Sequence, residues 1–310
     1  MISVEKLSKS YGSVQALRGI SFEVAHGEII GLLGPNGAGK TTTMKILTGY
    51  LQPSEGTARV NGIDVVADPI AARASIGYLP ENAPLYLDMA VQEYLLLMAE
   101  LREIPEARRV PLISEAVFAT GLEQHLVRPI GDLSKGFRQR VGLAQAIMHK
   151  PKVLILDEPT NGLDPTQIIE IRDLIRRLAE QATVIISTHI LSEVEATAHR
   201  AIIIMNGEIK ADAKLEELRS SSSAKVSIDR GATNVQAALA AIPGVGRVTA
   251  ERPSEGWMDW RVTATHDLEL CPLIFDVAKQ NGWRLSELRQ ERKTLESVFR
   301  ELAEKEGVRA

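Results

Sequence analysis

The stretch EIIGLLGPNGAGKTTTMKILTG (28–49) constrains the fold more than any other part of the chain. EIIGLL is apolar after its first residue, as a strand covered on both faces must be. GPNGAGK brings three glycines, and TTMKILTG then takes helical spacing. Strand, glycine-rich turn and helix in that order satisfy G-x-x-x-x-G-K-[ST] in the context that gives the pattern its meaning. The glycines let successive backbone N–H groups turn toward an anion. The helix that follows points its N-terminal dipole at the same place. Gly34, Pro35, Asn36, Gly37, Ala38, Gly39, Lys40, Thr41 and Thr42 are therefore expected to cradle the phosphates of a nucleotide. Lys40 can reach the β- and γ-phosphates, and Thr41 can place its hydroxyl on Mg²⁺.

A second apolar run, VLILDE (153–158), ends in two carboxylates. In open α/β sheets, ligands bind at the carboxyl ends of the strands. Asp157 is expected to hold Mg²⁺, directly or through water. Glu158 is then free to polarise an attacking water as a general base. No NKxD-type guanine signature is present, so the expected nucleotide is ATP.

The remaining chain fits around these motifs. ISVEKLSKSYG and ISFEVAHGE read as short N-terminal strands, and from about 88 to 150 the character is helical. VQEYLLLMAELREI and LISEAVFATGL place apolar residues three and four apart. QIIEIRDLIRRLAEQ is an amphipathic helix, ATVIIST a third buried strand, and AIIIMNGEI a strand and turn. Strands alternating with helices give an α/β core with a mainly parallel sheet. The composition shifts at LRSSSSA (218–224), which reads as a linker at 219–224 closing a first domain at 1–218. From 225 to 310 the segments run strand, helix, strand, strand, helix, strand, helix. That order suggests a small α+β domain of ferredoxin-like type.

Composition excludes some classes. The net charge is −4, with 36 basic and 40 acidic residues, so nothing electrostatic points to nucleic acid as a partner. A single cysteine, Cys271, rules out an internal disulfide and fits a reducing compartment. The N-terminal MISVEKLSKSYGS has no apolar signal core, and VLIL and AIIIM are too short to span a bilayer. Any work at a membrane would need another chain to supply the span.

Between the two motifs lies DLSKGFRQRVGLAQAIMHKP (132–151), and beyond them come PTNGLDP (159–165) and ISTHILSE (186–193). With these, residues 1–220 closely resemble the ATP-binding subunit of an ABC transporter. The resemblance implies a P-loop ABC-type ATPase domain with antiparallel N-terminal strands and a helical insert at about 88–150. LSKGFRQ corresponds to the LSGGQ-type signature, and NGLDP, with Asp164, to the D-loop. His189 stands at the switch histidine, where it would orient and sense the γ-phosphate. Tyr11, in KSYG, stands at the aromatic that stacks on adenine. The family works as a head-to-tail dimer, with a second copy or a related subunit, in which Ser134 and Gly136 of one chain close over the γ-phosphate held by the other. The partner it implies is a multispanning permease, with the ATPase on the cytoplasmic face and a short permease helix docked near YLPEN and the insert. GYLPEN, LSKGFRQRVGLAQA and LESVFRELA look like the gliding-motility and drug-export branch, which points to export. Two rival readings remain. One is a soluble ABC ATPase acting on DNA, ribosomes or cluster assembly, although this chain has no second cassette, long coiled coil or basic surface. The other is a weakly hydrolysing cassette that uses ATP as a dimer switch.

The chain departs from the family at three places. Lys135 replaces a glycine-type position and Phe137 a glutamine, while Ser134 and Gly136 remain. Lys135 either adds positive charge near the partner's ATP or is a solvated side chain. Phe137 removes an amide that would bond ribose or the D-loop. In YLPEN, Glu81 stands where most relatives have glutamine; when ionised it keeps an acceptor oxygen but has no N–H₂ donor. It reads as a Mg²⁺ ligand, a water-positioning group, a side chain swung away until the permease docks, or an inert loop residue. Elsewhere ordinary roles are expected. His26, His125, His149, His199 and His266 lack metal-ligand spacing and read as surface or capping residues. ELREIPEARR (100–109) reads as a solvated helix face.

Overall fold

The structure, a computed structural model, describes residues 2–219, 222–254, 256–292 and 294–305. The chain opens with the antiparallel pair β1 (Ile2–Tyr11) and β2 (Val14–Val24). Next comes β3 (Ile29–Leu33), buried at every residue, whose glycine turn leads into α1 (Lys40–Leu47). β4 (Glu55–Val60) pairs with β1 and β5 (Ile63–Asp64) with β4, completing a small sheet in the order β2-β1-β4-β5. α2 (Pro69–Ala74), capped by Asp68, leads into β6 (Ile76–Leu79). Three helices follow: α3 (Val91–Leu101), α4 (Glu106–Thr120) and α5 (Lys135–Ile147). The unit closes with β7 (Val153–Asp157), α6 (Pro165–Ala179), β8 (Thr183–Thr188), α7 (Leu191–Thr197), β9 (Arg200–Met205) and β10 (Glu208–Lys214).

The second sheet has the order β10-β9-β3-β8-β7-β6, and the strands from β9 to β6 are mutually parallel. Its strands are apolar on both faces because both faces are covered. Val153 and Ile155 pack toward α1 and the small sheet, whereas Leu154 and Leu156 pack toward the three inserted helices. At Gly31 a Cβ would come within 2.3 Å of Val194 Cγ1, so α7 rests on the backbone of β3. The order carries more than the strands themselves. β8 lies between β3 and β7, which puts the residues after β8 between the glycine turn and the β7 carboxylates.

The charged stretch 100–109 is largely exposed, as its sequence suggests, but it is not one helix face. α3 stops at Leu101 and α4 starts at Glu106, with Ile104 buried in the turn between them. Arg102 folds inward, its Nη1 3.1 Å from His149 Nε2, which also lies 3.0 Å from the Ile76 carbonyl oxygen. Burial, reinforced by the Arg102 charge, pushes the His149 pKa down to about 4. A proline one residue past the turn disfavours helix before it, which a tally of charges does not register.

By internal contacts the chain divides into units 1–212 and 213–310. The second begins with α8 (Leu215–Arg219) and β11 (Ser222–Asp229), then α9 (Val235–Ala240), β12 (Val245–Ser254), β13 (Trp257–Ala264), α10 (Leu270–Gln280), β14 (Leu285–Arg292) and α11 (Leu295–Lys305). Its sheet is antiparallel with order β12-β13-β11-β14, the ferredoxin-like arrangement. Ala224, Val226, Ile228, Val262, Leu239 and Ile274 form its core. The serine run expected as a linker at 219–224 is mostly structured. Arg219 ends α8, and Ser223 and Ala224 pair with Thr263 and Val262. Residues 220 and 221 lie outside the described residues. A central strand satisfies its backbone from both neighbours, so pairing overrides the weak preference of serine.

Candidate active site

Because β3, β6, β7 and β8 are parallel, the loops after them open on one edge of the sheet. The glycine turn follows β3, Glu81 follows β6, Asp157 and Glu158 end β7, and His189 follows β8. Together they enclose a cleft of about 530 Å³, lined by Ala16, residues 36–42, Glu81, Glu158, Asn161 and His189.

The turn holds its shape through two left-handed glycines, Gly37 (φ 80°) and Gly39 (φ 112°). At Gly39 a Cβ would also lie 2.6 Å from Leu17 Cδ2 and 2.8 Å from the Ala16 carbonyl, so both conformation and space demand glycine. Lys40 is the first residue of α1 and is buried on the cleft floor. Its Nζ donates to the carbonyls of Gly34 (2.6 Å) and Pro35 (3.2 Å), closing the turn over the ammonium. Burial lowers its pKa, against the opposing charges of Glu158, Asp157 and Glu81.

Asp157 is buried and accepts a hydrogen bond from the Ser187 hydroxyl, its neighbour across the β7–β8 register. Burial raises its pKa; Ser187, Lys40 and the Thr41 hydroxyl pull it back, while Glu81 adds to the rise. Glu158 is held differently. Its backbone is left-handed (φ 49°), a conformation that costs a non-glycine residue on the order of 1–3 kcal/mol and persists only where neighbours enforce it. Its N–H donates to the Ser187 carbonyl oxygen at 3.1 Å and lies 3.2 Å from the Ser187 hydroxyl. Both carboxylate oxygens lie 3.0 Å from His189 Nδ1. An ionised carboxylate only accepts, so Nδ1 carries the proton and Nε2 is left for the cleft. His189 is half exposed there, whereas Glu158 is nearly buried. Glu81 reaches the rim and accepts from Asn161 Nδ2 at 3.3 Å.

Among the described residues, no group of three or more His, Cys, Asp and Glu could hold a metal with protein ligands alone. Mg²⁺ beside a nucleotide needs only one or two protein carboxylates, the phosphates and water supplying the rest. The buried Asp157 carboxylate, the Thr41 hydroxyl beside it and Glu81 at the rim fit such a set.

Several expected nucleotide contacts are not in this cleft. Tyr11, half exposed at the end of β1, carries Lys9 Nζ 5.5 Å above its ring. Ser134 caps α5, accepting from Phe137 N at 3.3 Å. Gly136 is pressed against Gln167, whose side chain would meet a Cβ at 2.5 Å. Lys135 lies along the D-loop, its Nζ 2.2 Å from where a Cβ on Gly162 would stand. Asp164 caps α6, accepting from the N–H groups of Thr166 and Gln167, both at 3.0 Å. Phe137 packs its ring 4.0 Å from His125, centroid to centroid, and lies beneath the Arg140 guanidinium. Gln139 donates to the Pro159 carbonyl at 3.0 Å, just ahead of the D-loop. Ala16 lines the cleft without any signal in the sequence pattern, and Asn161 lines it as the first residue of NGLDP. Their places depend on how β2 and the loop after β7 fold over the glycine turn.

The described residues include no helix long and apolar enough to cross a membrane. The sequence model of the ABC transporter family matches residues 17–161. An uncharacterized ABC transporter ATP-binding protein, YxlF of Bacillus subtilis (strain 168), is 34% identical over 96% of this chain and 98% of its own length. The bacitracin transport ATP-binding protein BcrA of Bacillus licheniformis is 36% identical over 71% of each. Among solved structures, a dimeric bacterial ABC transporter cassette superposes with a TM-score of 0.64 at 25% identity, over 69% of this chain and 99% of that one.

Proposed function

This chain belongs to the ATP-binding subunits of ABC transporters, and from that premise we propose that Glu158 and His189 perform its ATP hydrolysis and that the work is delivered to a separate multispanning permease. The observation that carries the reading is the Glu158–His189 pair, 3.0 Å apart at a cleft whose floor holds Lys40. Glu158 accepts the proton of the attacking water. His189 keeps the carboxylate aimed through Nδ1 and presents Nε2 to the transferring phosphoryl group; a donated hydrogen bond from Nε2 requires the doubly protonated ring. Lys40 offsets charge on the β- and γ-phosphates, and Gly34 to Thr42 surround them. Thr41, Asp157 and Glu81 would hold Mg²⁺, which would supply charge neutralisation at the phosphates.

Ser134, Lys135 and Gly136 lie outside their own chain's cleft. This supports a head-to-tail pair in which they complete the cleft of a second cassette, their own or a related one. Tyr11 would receive the adenine, and Asp164 would act through the D-loop that it caps. A relative 38% identical over 66% of this chain, the Nod factor export ATP-binding protein I of Paraburkholderia xenovorans (strain LB400), supports export as the direction, with the ATPase held at the cytoplasmic face by its permease.

The test is Glu158→Gln in the full-length chain assembled with its permease. Hydrolysis should fall by about a hundredfold or more, the scale of a lost general base, while ATP still binds and the ATP-dependent dimer persists in size-exclusion chromatography. Wild-type turnover would refute the general-base assignment.

A further inference from the structure

Glu193 lies on α7, away from the cleft, and is 5% exposed. One of its oxygens, Oε2, accepts from two buried hydroxyls: Thr160 Oγ1 at 2.5 Å and Thr188 Oγ1 at 3.2 Å. Thr188 Oγ1 accepts in turn from Ile190 N at 3.1 Å. These donors are not arbitrary. Thr160 is two residues beyond Glu158, and Thr188 immediately precedes His189. The β7–β8 ladder ends where Glu158 N–H donates to the Ser187 carbonyl. Just beyond that point, the segments carrying Glu158 and His189 are joined again through the Glu193 carboxylate.

The arrangement is costly for a packing residue. Among the described residues, Glu193 Oε1 is buried with no hydrogen-bond partner, and a buried acceptor left unpaired destabilises a fold. An apolar side chain would fill the same place without that cost. What a carboxylate adds is one oxygen able to receive both hydroxyls at once, fixing the distance between their backbones.

We propose that Glu193 is a positioning residue for hydrolysis: by holding Thr160 and Thr188 on one oxygen, it sets the separation of Glu158 and His189. This rests on the reading of Glu158 and His189 as the hydrolytic pair. Glu193 does not line the cleft, and its effect passes through the two loops. Small misplacements of a reacting group weaken turnover more than binding.

The experiment measures kcat, KM for ATP with Mg²⁺ and Tm on the full-length chain. Thr160→Val keeps the shape and removes the hydroxyl, Thr160→Ser restores a hydroxyl, and Glu193→Gln keeps an acceptor oxygen. Thr160→Val should lower kcat by about tenfold with KM within about twofold, and Thr160→Ser should recover most of the loss. Glu193→Gln should fall between wild type and Glu193→Ala. In a His189→Ala background, followed by single turnover with enzyme in excess, Thr160→Val should cost nothing further, because the Glu158–His189 separation it fixes no longer has a second end. Wild-type kcat in Thr160→Val, no recovery in Thr160→Ser, or an undiminished loss in the His189→Ala background would each overturn the proposal. Should Glu193→Ala fail to fold, the Thr160 pair decides the matter. The two readings fail separately. If His189→Ala turns over like wild type, the hydrolytic pair is wrong; if His189→Ala is impaired and Thr160→Val is not, only the positioning role is wrong.

Discussion

The two sheets at the heart of the two units treat charge in opposite ways. At the carboxyl edge of the parallel sheet, Lys40, Asp157, Glu158 and Glu81 converge, and burial works against the charge on both Lys40 and Asp157. On the antiparallel sheet of the second unit, three cations stand abreast across adjacent strands: Arg261, Lys225 and Arg289. Such a row would repel itself, but carboxylates flank it on either side. Asp259 and Glu287 pair with Lys225, Glu251 and Glu291 with Arg261, and Glu291 with Arg289. Here the Ser227 hydroxyl, and after it Lys225, lower the pKa of Asp259, while Glu251 and Glu291 raise that of Arg261. One sheet gathers charge that its own side chains leave poorly compensated, and the other settles its charges internally. Parallel topology explains the first, because all its loops discharge on one edge. Cross-strand pairing explains the second.

The contrast can be broken most sharply at Lys40. Among the described residues its ammonium donates only to carbonyls of its own turn, so Lys40→Ala should leave the chain folded yet weaken ATP binding by about a hundredfold, as loss of a charge-assisted contact would. Titration with a fluorescent ATP analogue measures this, and unchanged affinity would mean the edge is not organised around phosphate. His149 separates buried charge that affects stability from buried charge that affects function. It lies beside the start of β6, at the other end of the parallel sheet from the cleft. Its folded-state pKa of about 4 lies below the ordinary 6.5, so the unfolded chain binds the proton first. Stability should be complete above about pH 6.5 and decline toward pH 4, by about 3 kcal/mol in all. His149→Gln should flatten this slope in urea unfolding at pH 7 and pH 4.5 without changing KM for ATP. The smallest effect belongs to the paired sheet. Arg261→Met should cost less than about 1 kcal/mol, because partly exposed ion pairs contribute little, and hydrolysis should not change. A loss of turnover there would mean that the second sheet is more than internally settled.

Features written in consecutive residues were legible beforehand. The strand, turn and helix around 34–42, the β7 carboxylates and the order of elements in the second unit all follow local patterns. What escaped was set by elements meeting from far apart. That β8 lies between β3 and β7, that Ala16 lines the cleft and that Glu193 joins two loops are facts of sheet order and helix docking, with no local trace. Asp164 was a different kind of miss. An aspartate directly before a proline at a helix start is a capping signal in its own right, and the structure uses it as one. The serine run misled because composition says little about a strand held from both sides.

The signature helix is fastened to the segment after Glu158 at four places: Gly136 on Gln167, Lys135 on Gly162, Gln139 to Pro159 and Arg140 to Glu170. In mechanical terms this is one lever with two working ends. The end bearing Ser134 is offered to a neighbouring cassette, and the other is hinged beside the chain's own Glu158. A push on the first end would load those contacts and so be carried to the segment that follows Glu158.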